Sequence, residues 1–246
     1  MKNIKKLITL SLLFAIAIGF TSCLDDDDNY SVIIGTYRTI DEDGFYFEIE
    51  QEDKIVTMYP GDTRNFFDRD IPDGQRVFIY YDLLDEKEPG YDYNAKIYGI
   101  DKILTKDIIP ITEATEDSIG NDPIDIVNCR ISLDKEFIHM KFQYYTVNYS
   151  QISHMLNMVT PEIEEESQDE FIHLEFRHNA YDDYRSKIVT GLVTFRLENI
   201  EHLMESKKGI RIKYNSINSG KKEVELLFDK KTPAKPESRI GVTSIK

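Results

Sequence analysis

The chain predicts an all-β protein: an OB-like small barrel followed by an immunoglobulin-like β-sandwich. Three observations carry this expectation. Apolar residues recur at every second position, not at helical spacing, as in Phe45, Phe47 and Ile49 set against Tyr46, Glu48 and Glu50. The alternating runs are short and separated by turn chemistry such as Asp41-Glu42-Asp43-Gly44, Pro60-Gly61-Asp62, Pro72-Asp73-Gly74 and Glu88-Pro89-Gly90. Five of them fall within roughly 80 residues, which suits a small closed barrel, and a longer series of similar strands follows.

The N-terminal segment stands apart from this pattern. Met1–Lys6 carries three lysines and no acid, and Leu7–Phe20 is apolar apart from Thr9, Ser11 and Gly19. A basic end followed by a short apolar run describes a secretory signal peptide, residues 1–22. The run falls short of the ~20 apolar residues of a comfortable bilayer span. Thr21-Ser22-Cys23 resembles a bacterial lipobox, in which small residues precede a cysteine that is acylated and becomes the first residue of the mature chain. Phe20 stands where leucine is usual. Acyl chains contribute roughly 0.8 kcal/mol per buried methylene, so more than one chain on Cys23 gives stable anchoring. Asp25, Asp26, Asp27 and Asp28 repel one another and cannot bury, which makes 23–30 an acidic tether. Cys-Leu-Asp-Asp-Asp-Asp resembles the export signal that sends Bacteroidetes lipoproteins to the outer face of the outer membrane.

In the first domain, residues 31–110, Val32, Ile34 and Thr36 oppose Ile33, Gly35 and Tyr37. Ile55, Thr57 and Tyr59 share a face after the acidic turn at Gln51-Glu52-Asp53. Val77, Ile79 and Tyr81 oppose Phe78, Tyr80 and Asp82, and Ile97–Leu104 makes the fifth run. Residues 111–123 are rich in Thr, Glu, Asp, Ser and Gly and read as a linker. In the second domain, residues 124–246, Ile138, Met140, Phe142 and Tyr144 share one face, as do Ile172, Leu174 and Phe176, and Val189, Val193, Phe195 and Leu197. Ile210, Ile212 and Tyr214 pair with Val224, Leu226 and Phe228 across Asn218-Ser219-Gly220, a hairpin turn. Tyr149–Val159 and Asn199–Ser206 lack a clear period and each suits a short helix.

A lipobox, an acidic tether, an OB-like barrel and a β-sandwich, in that order, resemble the NigD-like lipoproteins of Bacteroidetes. The resemblance is carried by Cys23-Leu24-Asp25-Asp26-Asp27-Asp28-Asn29-Tyr30-Ser31, by Gly74-Gln75-Arg76-Val77-Phe78-Ile79-Tyr80-Tyr81, and by Ile97-Tyr98-Gly99-Ile100-Asp101-Lys102-Ile103-Leu104-Thr105-Lys106. It covers nearly the whole mature chain. It implies an N-terminal OB domain and a C-terminal β-sandwich, with a link to bacteriocin production or immunity drawn from gene neighbourhood. It supplies no catalytic residues.

The formal net charge is −15, and removing the three signal-peptide lysines takes it to −18. Such a chain should avoid nucleic acid, whose phosphates need basic partners. With Cys23 acylated, Cys129 stands alone in an apolar run and reads as a buried thiol. The sequence contains no G-x-S-x-G, P-loop, H-E-x-x-H or C-x-x-C motif. His173, Glu175 and His178 are close in sequence, but a strand reverses its faces between the two histidines, so no metal site is expected there. Tyr80, Tyr81, Tyr91 and Tyr93 flank a proline–glycine turn and are candidates for a sugar-binding face, as are Tyr144, Tyr145, Tyr181 and Tyr184. Asp117-Ser118-Ile119 resembles the short acceptor for O-glycosylation in Bacteroides, which makes Ser118 a candidate.

The expectation is a non-enzymatic lipoprotein of the outer membrane and cell surface, without a cofactor. Its partners are the membrane, through Cys23, and a protein, cationic peptide or glycan. The alternatives are a polysaccharide-binding or hydrolytic surface lipoprotein and a structural envelope component.

Overall fold

The computed structural model describes residues 30–40, 44–64, 70–147, 153–161, 169–183 and 187–228. Cys23 and Asp25–Asp28 lie outside the described residues.

The barrel is built from β1 (Ser31–Ile40), β2 (Gly44–Gln51), β3 (Lys54–Asp62), β4 (Gln75–Leu83) and β5 (Tyr93–Lys102). It closes in the order β1-β2-β3-β5-β4, with β1 pairing both β2 and β4. Only β3 and β5 run parallel. The period of two sends Phe47, Ile49, Val56, Met58, Val77, Ile79 and Ile97 inward, where each is essentially solvent-free. Gly35 is required by this packing, because a Cβ there would lie 2.8 Å from Ile79 Cδ1.

Two stretches depart from the expected division: 104–110 does not lengthen the first domain, and 111–123 is not a free connection to the second. The barrel ends at Lys102. The next strands, β6 (Leu104–Asp107) and β7 (Ile109–Pro110), already pair with the sandwich, so the domain boundary falls before residue 104 and not at 110. Residues 111–123 are no free linker either. They hold the short helix α1 (Glu116–Ile119), whose Ile119 packs with Ile111 and Val159. Ile111 and Ile119, the two isoleucines of an otherwise polar stretch, are what burial selects here.

The sandwich also contains β8 (Asp125–Ile131), β9 (Phe137–Thr146), β10 (Met155–Thr160), β11 (Phe171–Asn179), β12 (Lys187–Arg196), β13 (Gly209–Ser216) and β14 (Gly220–Leu227). One sheet runs β14-β13-β11-β10-β7 and the other β6-β12-β9-β8. Its two layers match the expectation, while the pairs β7–β10, β11–β13 and β6–β12 are parallel, a mixture that an antiparallel immunoglobulin pattern lacks. Phe176 joins the sheets, with ring centroids 5.9 Å from Phe142 and 6.0 Å from Phe195. Burying each such side chain contributes about 2–3 kcal/mol. Of the two ambiguous segments, the described part of the first is strand β10, and the second forms a 3-10 turn (Glu198–Ile200) and helix α2 (Glu201–Met204).

Candidate functional site

The two domains meet through polar residues that alternation places on the outside of their sheets. On the barrel, Thr36 and Arg38 of β1 and Glu48 and Glu50 of β2 point outward. Opposite them stand Arg130 of β8, Glu136 and His139. Arg38 donates to Glu48 (2.6 Å) and to Glu136 (2.5 Å). Glu50 accepts from Arg130 and from the Leu133 N–H (2.7 Å). Thr36 is 1% exposed and accepts from the Arg76 guanidinium at 2.8 Å. Burial draws the Arg76 pKa down to about 10. Burial, helped by the nearby Arg76 and Arg130 charges, holds His139 well below its usual value, so it sits neutral at the seam. Outward polar residues that would otherwise be solvated thus become an ion-paired junction. A groove of about 1140 Å³ opens beside it, lined by residues of both signs, among them Arg38, Asp73, Lys135, Arg196 and Glu198.

One residue beyond this junction lies an open row of aromatic rings. Tyr46 sits opposite Arg38 in the β1–β2 register. Phe47 faces Met58 across β2 and β3, which sets Tyr46 and Tyr59 on the same outer face. Tyr91, from the loop between β4 and β5, lies against both, with ring centroids 5.8 Å from Tyr46 and 5.1 Å from Tyr59. All three rings are half-buried. The loop is fixed to β3 because Asp92 accepts from the Thr57 N–H (2.8 Å) and hydroxyl (3.1 Å), while its own N–H donates to the Thr57 carbonyl (3.1 Å).

The second convergence of chemically capable groups is buried at one end of the sandwich. His178 Nδ1 faces the Pro123 carbonyl at 3.2 Å, which requires a proton on that nitrogen. Its Nε2 therefore accepts from His154 Nδ1 at 2.8 Å, and a single proton lies between His154 Nε2 and Asp183 Oδ2 at 2.9 Å. Thr146 and the Val147 N–H (2.9 Å) both donate to Asp183. Burial raises the Asp183 pKa, but these donors and His154 outweigh it and hold the carboxyl below its usual range. Burial and the neighbouring His154 bring His178 down to about 4. The turn that delivers Asp183 has left-handed backbone at Tyr181 (φ 51°) and Asp182 (φ 60°). Every nitrogen of the two rings is occupied and both rings are 2% exposed, so the relay offers no attacking atom to a substrate.

Comparison with known proteins places the chain in a family. The model of the NigD-like N-terminal OB domain matches residues 34–103, and that of the NigD-like C-terminal beta sandwich domain matches 107–228. The chain belongs to the NigD-like family. No curated protein sequence matches it. A protein of unknown function from Bacteroides vulgatus shares the fold at TM-score 0.68 and 22% identity, over 85% of this chain and 96% of that one. A NigD-like immunity protein from Bacteroides caccae does so at 0.58 and 17%, over 80% and 91%. A candidate lipoprotein from Bacteroides fragilis does so at 0.61 and 12%, over 84% and 100%. At these identities the likeness concerns the fold.

The NigD-like chain scatters several residues that its sequence groups together. Tyr81 and Tyr93 pack against the barrel core, and Tyr93 donates to Gln51 at 3.2 Å. Tyr80 lies with Tyr30 and donates to Asp101 (2.6 Å). Of the four tyrosines expected at the turn, only Tyr91 joins the open row. Tyr144 is buried against His154, Tyr181 is exposed, and Tyr184 lies outside the described residues. His173 faces outward to Asp169 (3.0 Å), whereas His178 faces the core. Ser118 is exposed on α1, with its hydroxyl donating to the Thr115 carbonyl at 2.8 Å. Cys129 is buried, and burial pushes its thiol up to about 12. Among the described residues no helix is long and apolar enough to cross a membrane.

Tyr46 and Tyr59 were missed as partners of Tyr91. The signal was present: a tight turn at Glu52-Asp53 joining Gln51 to Lys54 fixes a register that brings both to one face.

Proposed function

We propose that this NigD-like chain is a lipid-anchored lipoprotein displayed on the outer face of the outer membrane, where it acts as a binding module and not as an enzyme. The observation that carries the reading is the contrast between its two convergent clusters. The groups with acid–base chemistry, His154, His178 and Asp183, are sealed and fully engaged with one another. The open cluster, Tyr46, Tyr59 and Tyr91, has the composition of a contact surface and no nucleophile. Cys23 supplies the anchor and Asp25–Asp28 the export signal. The partner is a protein, cationic peptide or glycan met outside the cell. The immunity role named for the Bacteroides caccae protein supports the bacteriocin link for this chain. The sandwich edges disfavour a structural subunit that accepts a donated strand, because β14 carries Lys221, Lys222, Glu223 and Glu225, and β8 is broken by a bulge between Ile126 and Asn128.

Protease treatment of intact cells tests display. The wild-type chain should be cleaved, whereas a chain with Asp25–Asp28 changed to alanine should be protected until the cells are lysed. Protection of the wild-type chain in intact cells would overturn the surface reading.

A further inference from the structure

We propose that Tyr46, Tyr59 and Tyr91 form a saccharide-binding platform that takes a short neutral glycan, such as a chain end or side branch. The inference rests on the reading of the chain as a surface binding module, and it names the ligand class and the residues.

Three features of the row fit this ligand. The rings come from three separate segments and follow one another at 5.8 and 5.1 Å, tilted by 55° and 38°, so they form a shallow cradle and not a flat stack. The C–H face of a pyranose packs on such rings, and phenol hydroxyls hydrogen-bond at its rim. Among the described residues the Tyr59 and Tyr91 hydroxyls have no hydrogen-bond partner, while that of Tyr46 donates to Glu48 at 3.3 Å. The cradle is also preorganised. Tyr46 and Tyr59 stand on paired strands, and the Asp92–Thr57 clamp holds the loop that carries Tyr91. Little ordering then opposes binding.

The surroundings select among ligands that aromatic rings can take. A single-stranded nucleic acid would stack equally well, but its phosphates would meet a chain of net charge −15 with Glu48 and Asp92 at the platform. A cationic peptide would find ring faces, yet both of those carboxylates are committed, Glu48 to Arg38 and Tyr46, and Asp92 to Thr57. A neutral polyol needs no free charge. Length is limited as well. OB barrels hold polymers across the face of their second and third strands. Here the sandwich covers the neighbouring part of that surface through Arg38–Glu136 and Glu50–Arg130. A long polymer cannot cross, and a chain end can enter.

The test uses the detergent-solubilised full-length lipoprotein and a panel of neutral di- to hexasaccharides of glucose, galactose, mannose and N-acetylglucosamine. Binding is read by isothermal titration calorimetry. At least one saccharide should bind. Tyr59→Ala and Tyr91→Ala should each weaken it roughly tenfold, and Tyr91→Phe should weaken it less. Tyr80→Ala, on a different part of the barrel, should leave affinity unchanged, and thermal melts should show that each variant is folded. The proposal is overturned if no saccharide in the panel binds, or if the alanine variants bind as tightly as wild type. It is also overturned if the platform tyrosines are required only for a lysine-rich peptide or an oligonucleotide. Failure of saccharide binding with the chain still cleaved on intact cells would leave the surface-module reading standing.

Discussion

His178 shows how one residue couples burial to acidity. Its neutral form is favoured in the fold, with a pKa of about 4 against an ordinary 6.5. Between these values the unfolded chain binds a proton that the folded chain refuses, so stability falls as pH drops from 6.5 towards 4. His139, also held neutral by burial, adds to the same slope. Urea midpoints should therefore be lower at pH 5 than at pH 7, with His178 contributing on the order of 1–3 kcal/mol over the full window. His178→Leu should reduce this pH dependence, and an unchanged slope would show that His178 ionises freely in the fold. The inward face of His178 was legible in the alternation of β11. Its partner His154, and the Asp183 that pairs with His154 in turn, were not, because they lie 24 and 5 residues from His178 on segments without a period.

At the scale of elements, alternation made β2, β9 and β11 readable, and the Asn218-Ser219-Gly220 turn fixed the β13–β14 hairpin. β10 escaped for a physical reason. Leu156, Asn157, Met158 and Val159 are all buried, since one face of the strand meets the sandwich core and Val159 packs against Ile111 and Ile119 on the other. A strand covered on both faces loses its period of two. Close strand approach gives a prediction at this scale. A Cβ on Gly209 would lie 2.1 Å from the Leu226 carbonyl oxygen. Gly209→Ala should separate β13 from β14 and cost about 2–4 kcal/mol in denaturant unfolding. Gly99→Ala, whose Cβ would meet only Tyr80 Cδ2 at 3.6 Å, should stay within about 1 kcal/mol of wild type.

At the scale of the whole molecule, the domain junction decides what is left for a partner. Arg38, Glu50, Arg130 and His139 are polar residues at outward strand positions, and sequence alone cannot distinguish a solvated face from one covered by a second domain. Docking removes that face from solvent and leaves Tyr46, Tyr59 and Tyr91 open at its margin. The account's central claim is that this aromatic platform is presented outward from a lipid-anchored chain. Tyr91→Cys tests it directly in intact cells treated with a membrane-impermeant maleimide. Background is low because Cys129 is buried with a raised pKa, and the proposed acylation of Cys23 would block the other thiol; wild-type labelling serves as the control. The account predicts labelling of the Tyr91→Cys chain on intact cells and none of the wild type. Labelling that occurs only after the cells are broken would contradict it.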